Sequence, residues 1–370
     1  MVNRKVSFQQ FAALIFVGTF SPITRALPSA AAEQAGTSAW LAPLLAFPAT
    51  LGFIAFLAAV KRRCREGEGL GELAVRLFGT RVGRLFNAVS AAWMTVYCGF
   101  ILRSGAERLV SAVYANANAA TFLVITAAVC AVAACGELRW RARSAQLFFP
   151  LLAITMAAIL VFSAPNMRLE RVWPPDVTRL RGTALSAVQS FNVMTTAAYG
   201  AFLFGEVRSS RSDLRRALVW AASAAAVTSL MIAEIIGILG PKLAASVQFP
   251  FFAMIRNISA FRLIDRIEPL IVALWMITDY VFASMLMSSA AAALGPSGKR
   301  AKVICIAAAA LVISFIISGD AFSFSKKARE LVVPINFAYT VGLIPAVFLA
   351  GLLINKKREG KKDKKDEKST

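Results

Sequence analysis

The sequence predicts an all-α polytopic membrane protein of about ten transmembrane helices, arranged as two five-span halves of inverted topology. Three observations predict it. Hydrophobic residues make up 58% of the 370 positions and charged residues only 16%, against about 25% charged in a soluble domain; mean hydropathy is +0.65. Apolar runs of roughly 20 residues, the length that crosses a hydrocarbon core, recur along the whole chain. The first and sixth of these runs are both interrupted, which is the sequence mark of an inverted repeat with a site near the midplane.

The first run, Phe8–Ala35, begins as an apolar helix and then meets Gly18-Thr19-Phe20-Ser21-Pro22, with Pro28 beyond. Pro22 has no N–H and crowds the preceding turn, and Gly18 frees the backbone. A break at membrane depth has to be satisfied by protein or by a water-filled cavity, so this stretch is either a binding site or a kink. Arg4-Lys5, the apolar run and Ala30-Ala31-Ala32 also fit the outline of a signal peptide; continuity with the repeat pattern favours a first span.

The second run is about Ser38–Val60. The loop after it, Lys61–Arg84, mixes Glu66, Glu68 and Glu72 with basic residues and predicts a short surface helix. Runs three to five are about Gly83–Ala112, Thr121–Cys135 and Ala145–Ser163. The sixth, about Thr183–Val207, carries Asn192, Thr195, Thr196, Tyr199 and Gly200 and is unusually polar for mid-membrane. A helix softened by small residues for close packing is the alternative reading. The seventh run is about Leu214–Leu239. Pro241–Ile258 follows as an amphipathic, proline-bounded segment expected to lie over the outer mouth. The last three runs are about Leu263–Leu294, Val303–Ser318 and Leu331–Ile354. Residues 1–354 thus form one transmembrane domain. Residues 355–370, mostly lysine, aspartate and glutamate, read as a disordered cytoplasmic tail able to touch anionic headgroups.

Charge sets the topology. The chain has 41 Lys and Arg against 20 Asp and Glu, a net +21. Most basic residues fall in segments that share one side: Arg4-Lys5, Lys61–Arg84, Arg139–Arg143, Arg208–Arg216, Lys299–Lys302 and the tail. That places both termini inside and requires an even number of spans. Of the basic residues only Arg25, Arg103 and Arg108 lie within spans. The positive charge therefore reads as orientation and lipid contact, not as a nucleic-acid surface.

The composition also excludes much chemistry. There is no histidine, which removes Ser-His-Asp and Cys-His catalysis and a histidine proton relay. The five cysteines are scattered with no CxxC, so neither a disulfide framework nor a metal site is expected. No phosphate-binding glycine loop follows a strand. No enzyme activity and no cofactor are expected.

The chain resembles the endospore germination permeases, the B-type subunits of nutrient germinant receptors, within the amino acid–polyamine–organocation transporter superfamily. The resemblance covers about residues 5–355. It rests on Gly18-Thr19 and Leu27-Pro28-Ser29-Ala30, on Ala35-Gly36 followed by Trp40, and on Gly79-Thr80-Arg81-Val82-Gly83-Arg84-Leu85. Leu102-Arg103 with Glu107, Leu239-Gly240-Pro241-Lys242-Leu243-Ala244 and Phe249-Pro250-Phe251 complete it. It implies a LeuT-like five-plus-five fold and the sensing of small nutrients, often amino acids, in the spore inner membrane. It also implies a complex with an A-type membrane subunit and a C-type lipoprotein. Many relatives carry a small residue and a glutamate in the middle of the sixth span; here Met194-Thr195-Thr196 stands there, and Asp279 is an unusual feature of the eighth span.

An amino-acid zwitterion needs donors for its carboxylate and acceptors for its ammonium. An unwound first helix would offer backbone N–H groups at Gly18, Thr19, Phe20 and Ser21, with the following half-helix turning its positive end to an anion. Asn192, Thr195, Thr196, Tyr199 and Gly200 would face them, and Tyr97 would close the side. Each is alternatively part of an ordinary helix–helix contact. Asp279, mid-span, is expected to face the interior with a partner, either as an acceptor for ammonium, as a proton site, or paired to Arg25 or Arg103. Arg103 and Glu107 are one turn apart and can pair; with Pro22 and Arg25 they are read as structural or interface residues. Two functions follow: a germinant-sensing subunit, or a proton- or sodium-coupled amino-acid permease using Asp279 or Glu234. A scaffold whose site has decayed is the third.

Overall fold

The computed structural model describes residues 5–25, 27–112, 118–208, 210, 212–256, 267–317 and 328–353. The predicted tail, the start of the predicted eighth span and residues 257–258 of the outer segment lie outside them. The described chain is helical throughout, apart from connections and one isolated bridge between Val6 and Val207.

The first predicted span becomes α1 (Phe8–Arg25) and α2 (Leu27–Ala35). A 3-10 run, Gly36–Leu41, leads into α3 (Ala42–Arg63). The predicted surface helix is α4 (Leu70–Phe78). Its buried face is Leu70, Leu73, Ala74 and Leu77, spaced as one helical stripe. The Glu72 carboxylate accepts from the Gly69 N–H at 2.9 Å and starts it. Gly79, at φ +83°, stops it.

Spans three to five are α5 (Thr80–Ala112), α6 (Ala119–Cys135) and α7 (Leu138–Ser163). Asn118 caps α6 by accepting from the Ala120 N–H at 2.9 Å. α7 starts seven residues before the position the hydropathy indicates. The cause is Arg141, which is buried and donates to the Ser284 carbonyl at 2.8 Å. A charge that hydropathy assigns to a loop is thereby held inside the bundle.

The sixth span is α8 (Leu180–Thr195) followed by a 3-10 run, Thr196–Glu206. Next come α9 (Asp213–Leu239), α10 (Pro241–Ser246) and α11 (Pro250–Arg256). The outer segment is therefore two short helices, each opened by a proline. It is not a surface cover alone: Phe251, Phe252, Met254 and Ile255 are buried. α12 (Ile267–Ala293) and α13 (Lys299–Ile316) follow. The last span, Glu330–Leu353, is irregular, with wide π turns at Ala328–Val332 and Ala338–Leu343 around α14 (Val333–Phe337).

Six of the described helical stretches are long and apolar enough to cross a membrane; Ala119–Cys135 is a shorter apolar helix. α12 is the hub: it packs on α5, α1, α6 and α13. α3 lies between α8 and α9. One apolar core gathers Leu14, Met94, Ile101 and Leu286 around α12; a second gathers Ala31, Ile232, Ile236 and Phe251 around Trp275.

Candidate functional site

The first-span stretch Gly18–Pro22 lies within α1, which runs on to Arg25. This corrects the expected break: Gly18–Pro22 is continuous helix. Pro22 removes only the donor that the Gly18 carbonyl would receive, and a single such loss is tolerated in a membrane helix supported by its neighbours. The N–H groups of Gly18, Thr19, Phe20 and Ser21 thus belong to a helical turn rather than to an open anion seat. Gly18 is a packing seat, since a Cβ there would meet Cδ2 of Phe282 on α12 at 3.2 Å. Thr19 donates back to the Phe16 carbonyl at 3.0 Å. The half-buried Phe20 packs against the apolar cores.

The sixth span does change character where its polar residues lie. α8 gives way to the tighter 3-10 geometry between Thr195 and Thr196, and such a change mid-helix marks a hinge or strain. Its side chains are bound into a network with the last span. Tyr199 donates to Asn336 Oδ1 and accepts from Trp93 Nε1 at 2.9 Å. Asn336 donates to Asn192 Oδ1 at 2.7 Å, and Asn192 donates to the Val333 carbonyl at 3.0 Å. The Thr195 and Thr340 hydroxyls lie 2.7 Å apart. Thr196 donates to the Val193 carbonyl at 2.7 Å. Tyr97 sits beside this network, 5.7 Å from the Tyr199 ring and 5.7 Å from Phe282. At Gly200 an added Cβ would approach Phe11 Cζ at 2.7 Å and Ile15 Cδ1 at 2.8 Å. The structure therefore brings Tyr97, Asn192, Thr195, Tyr199 and Gly200 into one seam with Gly18, and it fills that seam with protein.

A second constellation gathers charge. Arg108 on α5 pairs with Asp279 on α12 and donates to the Ser21 hydroxyl on α1 at 2.9 Å. Its guanidinium carbon lies 5.5 Å from the Trp275 ring centroid. Trp275 Nε1 donates to Thr24 Oγ1 at 3.0 Å. Asp279 thus has its charged partner in Arg108, which corrects the expected pairing with Arg25 or Arg103. Arg25 donates instead to the Ser104 hydroxyl and lies 6.0 Å from the Phe100 centroid. Arg103 and Glu107 form the expected pair along α5. Asp279 Oδ1 is buried with no hydrogen-bond partner among the described residues. Glu234 is buried and accepts from Ser163.

Sequence reasoning missed Arg108, Trp93, Asn336 and Thr340 as participants. Arg108 was visible as a charge inside a span, five residues beyond Arg103. Asn336 and Thr340 were polar residues of a mostly apolar last run. Hydropathy marks these three, but none of their partners is readable without the packing.

A cavity of about 560 Å³ lies between α1, α3, the sixth span and α9. Of the anticipated site residues Thr19 lines it, with Met194 and Ala197 of the sixth span beside it, while Lys61, Arg62, Arg208 and Asp213 stand at its other end.

The comparisons with known proteins agree with this architecture. In solved structures the chain is similar to MhsT in complex with L-phenylalanine, at TM-score 0.69 and 14% identity over 96% of this chain and 89% of that one. It is also similar to Mhp1, a nucleobase-cation-symport-1 family transporter in a closed conformation with bromovinylhydantoin bound. There the TM-score is 0.65 at 14% identity, over 92% of this chain and 78% of that one. These likenesses establish the LeuT-type transporter fold. No curated protein matches in sequence. The family model of spore germination proteins matches residues 5–318. An integral membrane protein of this fold, matched over that range, belongs to the spore germination permease family.

Proposed function

We propose that the protein is the nutrient-sensing membrane subunit of a spore germinant receptor, and that its nutrient is an amino acid. The observation that carries the reading is the change from α-helix to 3-10 geometry at Thr195/Thr196 in the sixth span of a permease of this family. A binding site in such a fold lies where the interrupted helices meet. The proposed contacts are Gly18, Thr19, Phe20, Ser21, Tyr97, Asn192, Thr195, Thr196, Tyr199 and Gly200, and the unpartnered Oδ1 of Asp279 supports an acceptor for an ammonium group. With that seam packed, a nutrient acts by preferring an opened member of a two-state equilibrium. The protein resides in the spore inner membrane with both termini inside. It works with an A-type membrane subunit and a C-type lipoprotein.

The test is a deletion strain complemented by the wild type or by Thr195→Val, scored for germination across a panel of amino acids. Loss of the response to one nutrient in the deletion, and its weakening in the variant at unchanged protein level, is the expected result. Normal germination of the deletion strain with every nutrient, with no partner co-purifying, overturns it. The second reading is a proton- or sodium-coupled amino-acid permease, favoured by the likeness to MhsT, whose structure holds L-phenylalanine. Robust counterflow of labelled amino acids in liposomes would establish turnover.

A further inference from the structure

The 560 Å³ cavity has features that a nutrient site does not need. Its α1 wall is Phe8, Phe11, Ala12, Ile15, Phe16 and Thr19, one continuous stripe at helical spacing. From Phe8 to Thr19 a helix rises about 16 Å. That is about half of the roughly 30 Å hydrocarbon core, the depth of one leaflet. The α3 wall ends on Lys61 and Arg62, and the α9 wall begins at Asp213. All charge in the lining is therefore at one level, and the rest of its depth is apolar or hydroxyl.

The deep end offers little to a zwitterion. Its hydroxyls are Thr19 and Thr50, and both donate into their own helices, to Phe16 and Ala46 carbonyls at 3.0 Å. The rim is different. Arg62 and Arg208 are exposed. Lys61 donates to the Phe204 and Val207 carbonyls, which holds the ammonium in place and leaves one of its three donors over. Asp213, the acid of the rim, accepts from the Ser210 N–H at 2.6 Å through Oδ2 at the start of its own helix, and its Oδ1 has no hydrogen-bond partner among the described residues; three cations stand against it. The rim is positive and the shaft below it is greasy.

We propose that this cavity is a resident site for an anionic phospholipid of the leaflet on the Lys61–Arg62 side, with one acyl chain along the α1 stripe and the phosphate at Lys61, Arg62 and Arg208. The charge pattern of the loops makes that leaflet the cytoplasmic one. Trp220, which lines the acyl chain's path and packs at a tilt against Phe16 at 5.3 Å and edge-on against Phe149 at 4.7 Å, reports on occupancy. The site is independent of the sensing reading, because it requires no nutrient and no partner subunit.

The full-length chain, purified in detergent and delipidated, is titrated with dioleoylphosphatidylglycerol or dioleoylphosphatidylcholine and read by native mass spectrometry. One tightly held phosphatidylglycerol is expected, preferred over phosphatidylcholine by about five-fold for each rim cation engaged. The double variant Arg62→Gln/Arg208→Gln should lose the preference and keep phosphatidylcholine binding. The filling variants Ala217→Trp and Ala12→Phe should lose both lipids. As a readout on the unaltered cavity, phosphatidylglycerol with brominated chains should quench tryptophan emission, and Trp220→Phe should remove most of the quenched component. Equal binding of the two lipids by the wild type overturns the proposal. So does undiminished phosphatidylglycerol binding in a well-folded filling variant, or quenching that survives the loss of Trp220.

Discussion

Arg108 of α5 and Asp279 of α12 form an ion pair buried on both sides, with side-chain exposures of 2% and 5%. The same guanidinium reaches Ser21 of α1, so one charge joins α1, α5 and α12. Burying such a pair is expensive, and its value lies in what happens when one member is removed.

Asp279→Asn is therefore expected to take the carboxylate away from the buried Arg108 guanidinium and to cost about 3–5 kcal/mol. Denaturant or thermal melting of the purified protein measures it. Replacing both residues, Arg108→Met with Asp279→Leu, should recover most of the loss. A single variant that melts like the wild type would mean that the pair is solvated and not part of the packed bundle.

The glycines at helix contacts should rank by the space their Cβ would find. Gly182→Ala places a Cβ 1.9 Å from the Gln34 backbone oxygen, and α2 and α8 would have to separate. Its cost is expected at or above about 3 kcal/mol, the upper end for overpacking. Gly200→Ala meets only side-chain ends of Phe11 and Ile15, and about 1–3 kcal/mol is expected. Gly18→Ala, with 3.2 Å to Phe282, should be near neutral, since Ala favours the helix by about 1 kcal/mol. Melting temperatures of the three variants check the order; a neutral Gly182→Ala would contradict the α2–α8 contact.

Tyr199→Phe should destabilise by about 1–3 kcal/mol, because Trp93 Nε1 and Asn336 both lose their buried partner. Asn336→Ala should overlap with it. A double-mutant cycle should show coupling of about 0.5–3 kcal/mol, and strict additivity would remove the two residues from one network.

Cys64 stands at the end of α3, outside the spans, and burial pushes its thiol up to about 11 from 9.0. A raised thiol pKa means less thiolate at neutral pH, and the thiolate is the reactive form. In a variant keeping Cys64 as its single cysteine, maleimide labelling at pH 8 should run about a hundred-fold slower than for an unshifted thiol. The rate should keep climbing through pH 10. A rate that levels off near pH 9 would show an unburied thiol.

Much of the architecture was legible in the sequence because hydropathy and helix punctuation are local. Gly69, Glu72 and Gly79 announce α4, and among the described residues each predicted span falls on a helical run. The sixth-span discontinuity was legible for the same reason, since Thr195-Thr196 and Gly200 weaken a helix wherever they stand. Gly18–Pro22 reads as a break and folds as helix because Pro22 acts on one hydrogen bond only, and whether that suffices depends on α12 packing behind it. Arg141 was placed in a loop because its acceptors, Ser284 and Ser288, lie about 145 residues away. Asp279 was given the wrong arginine for the same kind of reason: Arg25, Arg103 and Arg108 are equivalent as charges in a string, and only the rotation of α5 selects one. The 560 Å³ cavity had no sequence signal at all, since its stripes on α1, α3 and α9 look like ordinary apolar faces.

The short bridge ahead of α1 has a mechanical consequence. The Val6 N–H donates to the Glu206 carbonyl at 2.8 Å, and the Arg208 N–H donates to the Val6 carbonyl at 2.9 Å. The Lys61 ammonium clamps the same strip of chain from α3. The beginning of the first span is thus riveted to the end of the sixth, and both are riveted to the end of the second. Whatever tilts α1 at this face must drag the other two with it as a single lever. A pull on the N-terminal segment, from a docked protein or a fused tag, is delivered straight to the Thr195–Thr196 joint.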